Sequence, residues 1–71
     1  KIFDKAIEIY KKAAELGNVK AMENLADRYY YGNDIAEDNA EAMNWYKKAA
    51  EQGGAYAHNQ IGVMYREWTW S

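Results

Sequence analysis

Cysteine and proline are both missing from this 71-residue chain. Without cysteine there are no disulfides and no thiolate metal sites, and nothing indicates a redox compartment. The lack of proline leaves helix interiors unbroken. Histidine is reduced to His58 alone. Charge of one sign is scarce too, with a net charge of −2. Nucleic acid wants a concentrated basic face, so no nucleic-acid partner is expected. No apolar run approaches the ~20 residues that span a bilayer, so direct membrane insertion is not expected either. The first residue is Lys1 rather than Met, and the chain reads as a piece of a longer one. No targeting segment or compartment is assigned from it.

What remains is rich in Ala, Glu and Lys, a composition that favours helix. Aromatics are dense, with seven Tyr, three Trp and one Phe. Small alanines beside large rings suggest helices in close approach with rings filling the gaps. A domain of this size buries only ~60 % of its unfolded surface, and such chains usually need a staple, an oligomeric partner or more of themselves.

The tract YKKAAE occurs at residues 10–15 and again at 46–51. A shift of 36 residues aligns much more. Ala6, Tyr10, Gly17, Ala21 and Tyr29 fall on Ala42, Tyr46, Gly53, Ala57 and Tyr65. Ile9 falls on Trp45 and Leu25 on Ile61, so bulk persists where identity does not. A period in this range marks a solenoid of helix pairs. Within each period Ala6, Tyr10, Ala13 and Gly17 recur at i, i+4, i+7 and i+11, with Ile9 and Leu16 beside them. This is one apolar face of a 3.6-residue helix. A second stripe, Ala21, Leu25 and Tyr29, returns as Ala57, Ile61 and Tyr65. The spacing predicts helices over 3–16, 19–31, 39–52 and 55–67.

The boundaries have chemical reasons. Gly17 and Gly53 stand where a left-handed residue closes a helix, and Gly32 can end the second helix. Asn18 suits an N-cap. Asp38 with Glu41 three residues later has the form of a capping box. Ile35, alone among polar loop residues, is expected to tuck beneath the helices.

Residues 21–53 resemble a Sel1-like repeat, whose pattern runs A-x-x-x-L-G-x-x-Y-x-x-G-x-G-V-x-x-D and then A-x-x-W-x-x-K-A-A-x-x-G. Ala21, Leu25, Tyr29, Gly32, Asp38, Ala42, Trp45, Lys48, Ala49, Ala50 and Gly53 match it. Ala26, Asp34 and Ile35 depart from it, and Gly62 restores the first glycine in the next copy. In the family's register the chain holds a half repeat (1–17), a full repeat (18–53) and a half repeat (54–71) in one unit, expected to belong to a longer array. The resemblance implies an all-α fold, four antiparallel helices of a tetratricopeptide-like α/α superhelical solenoid. It also implies a scaffold or adaptor that binds a protein or peptide partner.

Chemistry-bearing residues are few. In YKKAAE the tyrosine and alanines lie on the packed stripe, and Lys11 with Glu15, or Lys47 with Glu51, reads as a solvated i, i+4 pair worth ~0.2–0.5 kcal/mol. Trp45 reads as core. His58 alone builds neither a metal site nor a catalytic triad. Asp34, Glu37 and Asp38 miss the alternating oxygen ladder of a calcium loop. No phosphate-cradling loop or nucleophile elbow is present. The reading is therefore of a non-enzyme with no catalytic residues, no metal and no cofactor. By analogy with tetratricopeptide arrays, the first helix of each repeat lines a concave binding groove. Off the packed stripe, that face carries Lys20, Glu23, Asn24, Asp27 and Tyr30, then Tyr56, Asn59, Val63 and Arg66. Tyrosine and arginine are favoured at binding hot spots. A second reading is structural. The chain would self-associate into a homo-oligomer or dock into a larger complex through uncovered end faces, with Trp68 and Trp70 as the end-face contacts.

Overall fold

The computed structural model describes the backbone of residues 2–32 and 35–69, and the side chains of 5–32 and 35–67. Four α-helices account for nearly all of these residues: α1 Ile2–Glu15, α2 Val19–Tyr31, α3 Asn39–Glu51 and α4 Ala55–Thr69. They match the expected spans to within two residues. The fold is all-α, with each helix packed on the next in sequence.

The two turns that follow the YKKAAE tracts share one geometry. After α1, the Gly17 N–H donates to the Ala14 carbonyl at 3.0 Å and the Asn18 N–H to the Ala13 carbonyl at 3.1 Å. After α3, the Gly53 N–H donates to Ala50 and the Gly54 N–H to Ala49, both at 2.9 Å. This is the paired bonding of a Schellman motif. Gly17 and Gly53 hold φ of 100° and 92°, a region in which a Cβ is strained. The repeated glycine thus fixes where each helix stops and how the chain reverses.

Asn18 caps α2, its Oδ1 accepting the Ala21 N–H at 3.0 Å. Asp38 caps α3 by accepting the Glu41 N–H at 3.1 Å. The expected reciprocal box is only half built. The Asp38 N–H donates instead to the Tyr29 carbonyl at 2.8 Å, which ties the loop to the end of α2. The Glu41 carboxylate accepts from the Asn44 amide at 3.4 Å. Ile35 is half-buried against the core, as its isolation in a polar loop suggested.

Alanines and rings alternate in the core: Ala21, Leu25, Ala26 and Tyr29 of α2 meet Ala42, Trp45, Tyr46 and Ala49 of α3. Leu25, Tyr46 and Met64 are the largest side chains buried completely. Lys11, Lys12, Glu15, Lys47, Lys48 and Glu51 are all exposed, so YKKAAE is a packing and spacing element. The Lys48 ammonium also lies 4.7 Å from the Trp45 ring centroid and the Arg28 guanidinium 5.1 Å from that of Tyr10, cation–π contacts that cover ring faces.

Three stripe residues depart from expectation. Ile9 is 64 % exposed, Leu16 85 % and Tyr65 51 %. Leu16 follows the last turn of α1 and sits in the reversal, off the packed face. Ile9 and Tyr65 keep more than half of their surface open despite their place on the stripes. Trp68 and Trp70, expected as end-face contacts, fall outside the described side chains, and so does Asp34 of the loop acids.

Candidate functional site

The two first-type helices, α2 and α4, build a polar site beside α3. Lys20, Glu23, Asn24 and Asp27 occur at i, i+3, i+4 and i+7 of α2, one stripe of a helix. With Tyr56 from the first turn of α4 they line a cavity of about 360 Å³. The structure thus brings together five of the nine residues expected along the groove. Tyr30, Asn59, Val63 and Arg66 are not in the cavity wall. Asn59 and Arg66 are exposed, and Tyr30 and Val63 half-buried.

The acids of this stripe hold the helices together. The Asp27 carboxylate accepts the Tyr56 hydroxyl, which lies 2.9 Å from both Oδ1 and Oδ2. Its Oδ1 also accepts the hydroxyl of Tyr46, a fully buried residue of α3. Asp27 therefore links α2 to both α3 and α4. Further along, the Tyr30 hydroxyl donates to the Glu67 carboxylate of α4. The rings of Tyr30, Tyr46 and Tyr56 follow one another edge-on, with successive centroids 6.5 Å apart. Edge-to-face rings add to area burial.

Glu23 has a different task. The position 36 residues after Asn18 is Gly54, so α4 begins without the side-chain cap that α2 has. The Gly54 carbonyl still accepts the first helical bond, from the His58 N–H at 3.1 Å. The missing acceptor comes from α2: Glu23 Oε2 accepts the Ala57 N–H at 3.2 Å. Ala57 is the counterpart of Ala21, whose N–H Asn18 accepts in the preceding repeat. Glycine is what lets the carboxylate in. A Cβ at Gly54 would stand 2.6 Å from Glu23 Oε2, 3.0 Å from the Ala49 carbonyl and 3.1 Å from Val19 Cγ1. An acid at a helix N-terminus is also favoured by the helix dipole.

These contacts move the tyrosines off their ordinary titration. Burial first, and the bond to Asp27 second, hold the Tyr46 phenol far above the usual value, with the Gln60 amide pulling the other way. The same two causes in the same order raise Tyr56 to about 12. Tyr30 is raised to about 12 mainly by its bond to Glu67 and then by burial. Among the described residues no cluster of three or more His, Asp or Glu is placed to hold a metal. Nor is any described helix long and apolar enough to cross a membrane.

Tyr46, Glu67 and Gly54 were not among the expected site residues. Tyr46 sits on the packed stripe, and only its hydroxyl, absent from phenylalanine, marks a second role. Gly54 leaves a fainter signal, a glycine where the repeat has a capping asparagine.

The sequence model of the Sel1 repeat matches residues 3–18 and 19–54, and the second match carries α2, α3 and the turn that feeds α4. The chain belongs to the Sel1 repeat family. Human protein sel-1 homolog 2 is 34 % identical over 61 residues, covering 86 % of this chain and 9 % of that protein. An exopolysaccharide production negative regulator of Rhizobium meliloti is 42 % identical over 50 residues, covering 70 % of this chain and 19 % of the regulator. The secretory immunoglobulin A-binding protein EsiB of Escherichia coli is 40 % identical over 43 residues, covering 61 % of this chain and 9 % of EsiB. The Sel1 unit described here therefore spans less than a fifth of these curated relatives. No solved structure matches the chain. The Sel1 pattern accounts for Leu25, Trp45 and the glycine turns. It leaves Glu23 and Asp27, which tie α2 to α4, unexplained.

Proposed function

We propose that the α2–α4 face is a binding surface for an extended segment of a protein partner, and that the chain acts as a scaffold or adaptor module. One observation carries this reading: five side chains from two successive repeats converge on a single cavity whose walls are already tied in place. Asp27 and Tyr56 hold one another, and Glu23 is held by α4. Side chains fixed before binding lose little rotamer entropy on contact, so more of the interaction appears as affinity. Lys20 and Asn24 are the members of the wall that these ties do not involve. Lys20 offers a cation, and the Asn24 amide offers both donors and an acceptor, which suits a peptide backbone. Tyr56 supplies a ring of the type favoured at hot spots. Sel1 relatives with protein-binding names, such as EsiB, support the class of partner.

The probe is a display library of random linear peptides, panned against the 71-residue chain. Selected peptides are then titrated into wild type, Lys20→Ala and Asn24→Ala. Neither residue anchors a helix contact, so both variants should melt like wild type and bind at least several-fold more weakly. A library that yields no binder, or binders indifferent to both changes, would refute the groove.

A further inference from the structure

The cavity between α2 and α4 keeps its negative charge although its carboxylates are hydrogen-bonded. Glu23 Oε2 accepts the Ala57 N–H, and Asp27 accepts the hydroxyls of Tyr46 and Tyr56. All of these donors are neutral, so they satisfy lone pairs and leave both charges in place. A carboxylate offers about four acceptor positions. Among the described residues Glu23 spends only Oε2, and Asp27 Oδ2 takes a single hydroxyl, so acceptor capacity remains on both acids. One lysine against two acids leaves the wall with a net negative charge. Lys20 is exposed and does not cancel that charge at the far end. It stands two turns before Asp27, about 10 Å along the axis at ~1.5 Å per residue. The screening length at physiological salt is shorter, ~8 Å. The cavity is therefore polarised, with its negative end at Asp27 and Tyr56.

Tyr56 adds a second attraction for the same ligand. Its ring is 43 % exposed, and its hydroxyl lies 2.9 Å from both Asp27 oxygens. A phenol that donates to a carboxylate keeps its proton and gains electron density in the ring, which strengthens the pull of the ring face on a cation. The same contact occurs within the chain, at Tyr10 with Arg28 and at Trp45 with Lys48. The Tyr56 ring carries no such cation among the described residues. We infer that the cavity takes a basic side chain of the partner segment, its cation held between Glu23 and Asp27 and against the Tyr56 ring. This deepens the reading of the α2–α4 face as a binding surface and rests on it. Lys20, at the opposite end, meets acceptors of the flanking chain, so the wall distinguishes the two ends of a bound segment by charge.

Arginine is the better probe of the two bases. Its planar fork of donors can reach two carboxylates at i and i+4, and its plane stacks on a ring. The probes are the blocked tripeptide acetyl-Gly-Arg-Gly-amide and its citrulline counterpart, which has the same shape and no charge. Each is titrated into the 71-residue chain and followed by amide NMR. The arginine peptide should shift Glu23, Asp27 and Tyr56 saturably, and added salt should weaken it. The citrulline peptide should bind at least several-fold more weakly. Glu23→Gln keeps an oxygen for the Ala57 N–H and removes the charge. It should melt near wild type and lose most of the preference for arginine over citrulline. Should this variant fail to fold, the comparison of the two peptides on wild type decides alone. Equal binding of the two peptides overturns the inference, and so does an arginine peptide that leaves the cavity unshifted. A preference for arginine that survives intact in Glu23→Gln overturns it too. Failure here is separable from failure of the surface itself: display-selected binders that carry no basic residue yet depend on Asn24 would remove the basic pocket and keep the surface.

Discussion

Adding one methyl group at Gly54 should unsettle the start of α4, whereas the same change at Gly62 should strengthen it. Gly54 is buried and does not adopt a left-handed φ, so the cost of Gly54→Ala comes from contact rather than backbone strain. The new Cβ would meet Glu23 Oε2 at 2.6 Å and the Ala49 carbonyl at 3.0 Å. The carboxylate can swing away, but then the Ala57 N–H loses its acceptor, a capping loss of ~1 kcal/mol. The Ala49 carbonyl is backbone within the helix-end motif and cannot swing; overpacking of this kind costs ~1–3 kcal/mol. Together these give a loss of about 2–4 kcal/mol, against a whole-domain stability of about 4–11 kcal/mol at ~0.05–0.15 kcal/mol per residue. For a domain of this size that is a fall in Tm of roughly 8–30 °C. Gly62 is a helix-interior glycine with nothing within 4 Å of its added Cβ. Gly62→Ala should gain about 1 kcal/mol from helix propensity alone. Urea unfolding followed by circular dichroism measures both. In a Glu23→Ala background the cost of Gly54→Ala should shrink by the capping share, because the carboxylate is no longer there to displace. Two results would refute this reasoning: a Gly54→Ala variant as stable as wild type, or strict additivity with Glu23→Ala.

Asp27→Ala removes the acceptor of a buried hydroxyl on Tyr46 and should cost about 1–3 kcal/mol in urea unfolding, the penalty of an unsatisfied buried donor. Adding Tyr46→Phe to that variant should recover part of the loss, since the orphaned hydroxyl is then gone; no recovery would mean that Asp27 acts elsewhere. Stability should also fall in alkali. Tyr30 and Tyr56 are raised to about 12 from the ordinary 10.0, so the fold prefers the neutral phenol. That preference is fully present below pH 10 and is lost as pH rises from 10 through about 12. Thermal melts across this window should show a declining Tm, and Tyr30→Phe with Tyr56→Phe should flatten the decline.

Much of the architecture was legible because the chain repeats itself. The glycines at 17 and 53, with alanines at fixed offsets before them, declare where α1 and α3 end, since few residues other than glycine close a helix in left-handed geometry. Local capping was legible at Asn18 and Asp38 for a different reason: their short polar side chains are favoured at N-caps. Contacts between repeats were not. Nothing local tells Glu23 that it will cap α4, or Asp27 that it will take hydroxyls from Tyr46 and Tyr56. Those depend on how α2 and α4 lie beside α3. The α2 stripe Lys20, Glu23, Asn24 and Asp27 could be placed by helical period, while Tyr30, Asn59, Val63 and Arg66 could be assigned to a face but not to the cavity. Exposure of Ile9 and Tyr65 was likewise hidden, because periodicity marks an apolar face and does not say whether a helix covers it.

The proposed binding surface is the α2–α4 face. An amide NMR titration of the 71-residue chain with a display-selected peptide tests it most directly. The largest shifts should cluster at Lys20, Glu23, Asn24, Asp27 and Tyr56, and Asn24→Ala should weaken the interaction without changing the melt. Shifts confined to the outer faces of α1 and α4, with the cavity residues unmoved, would contradict it.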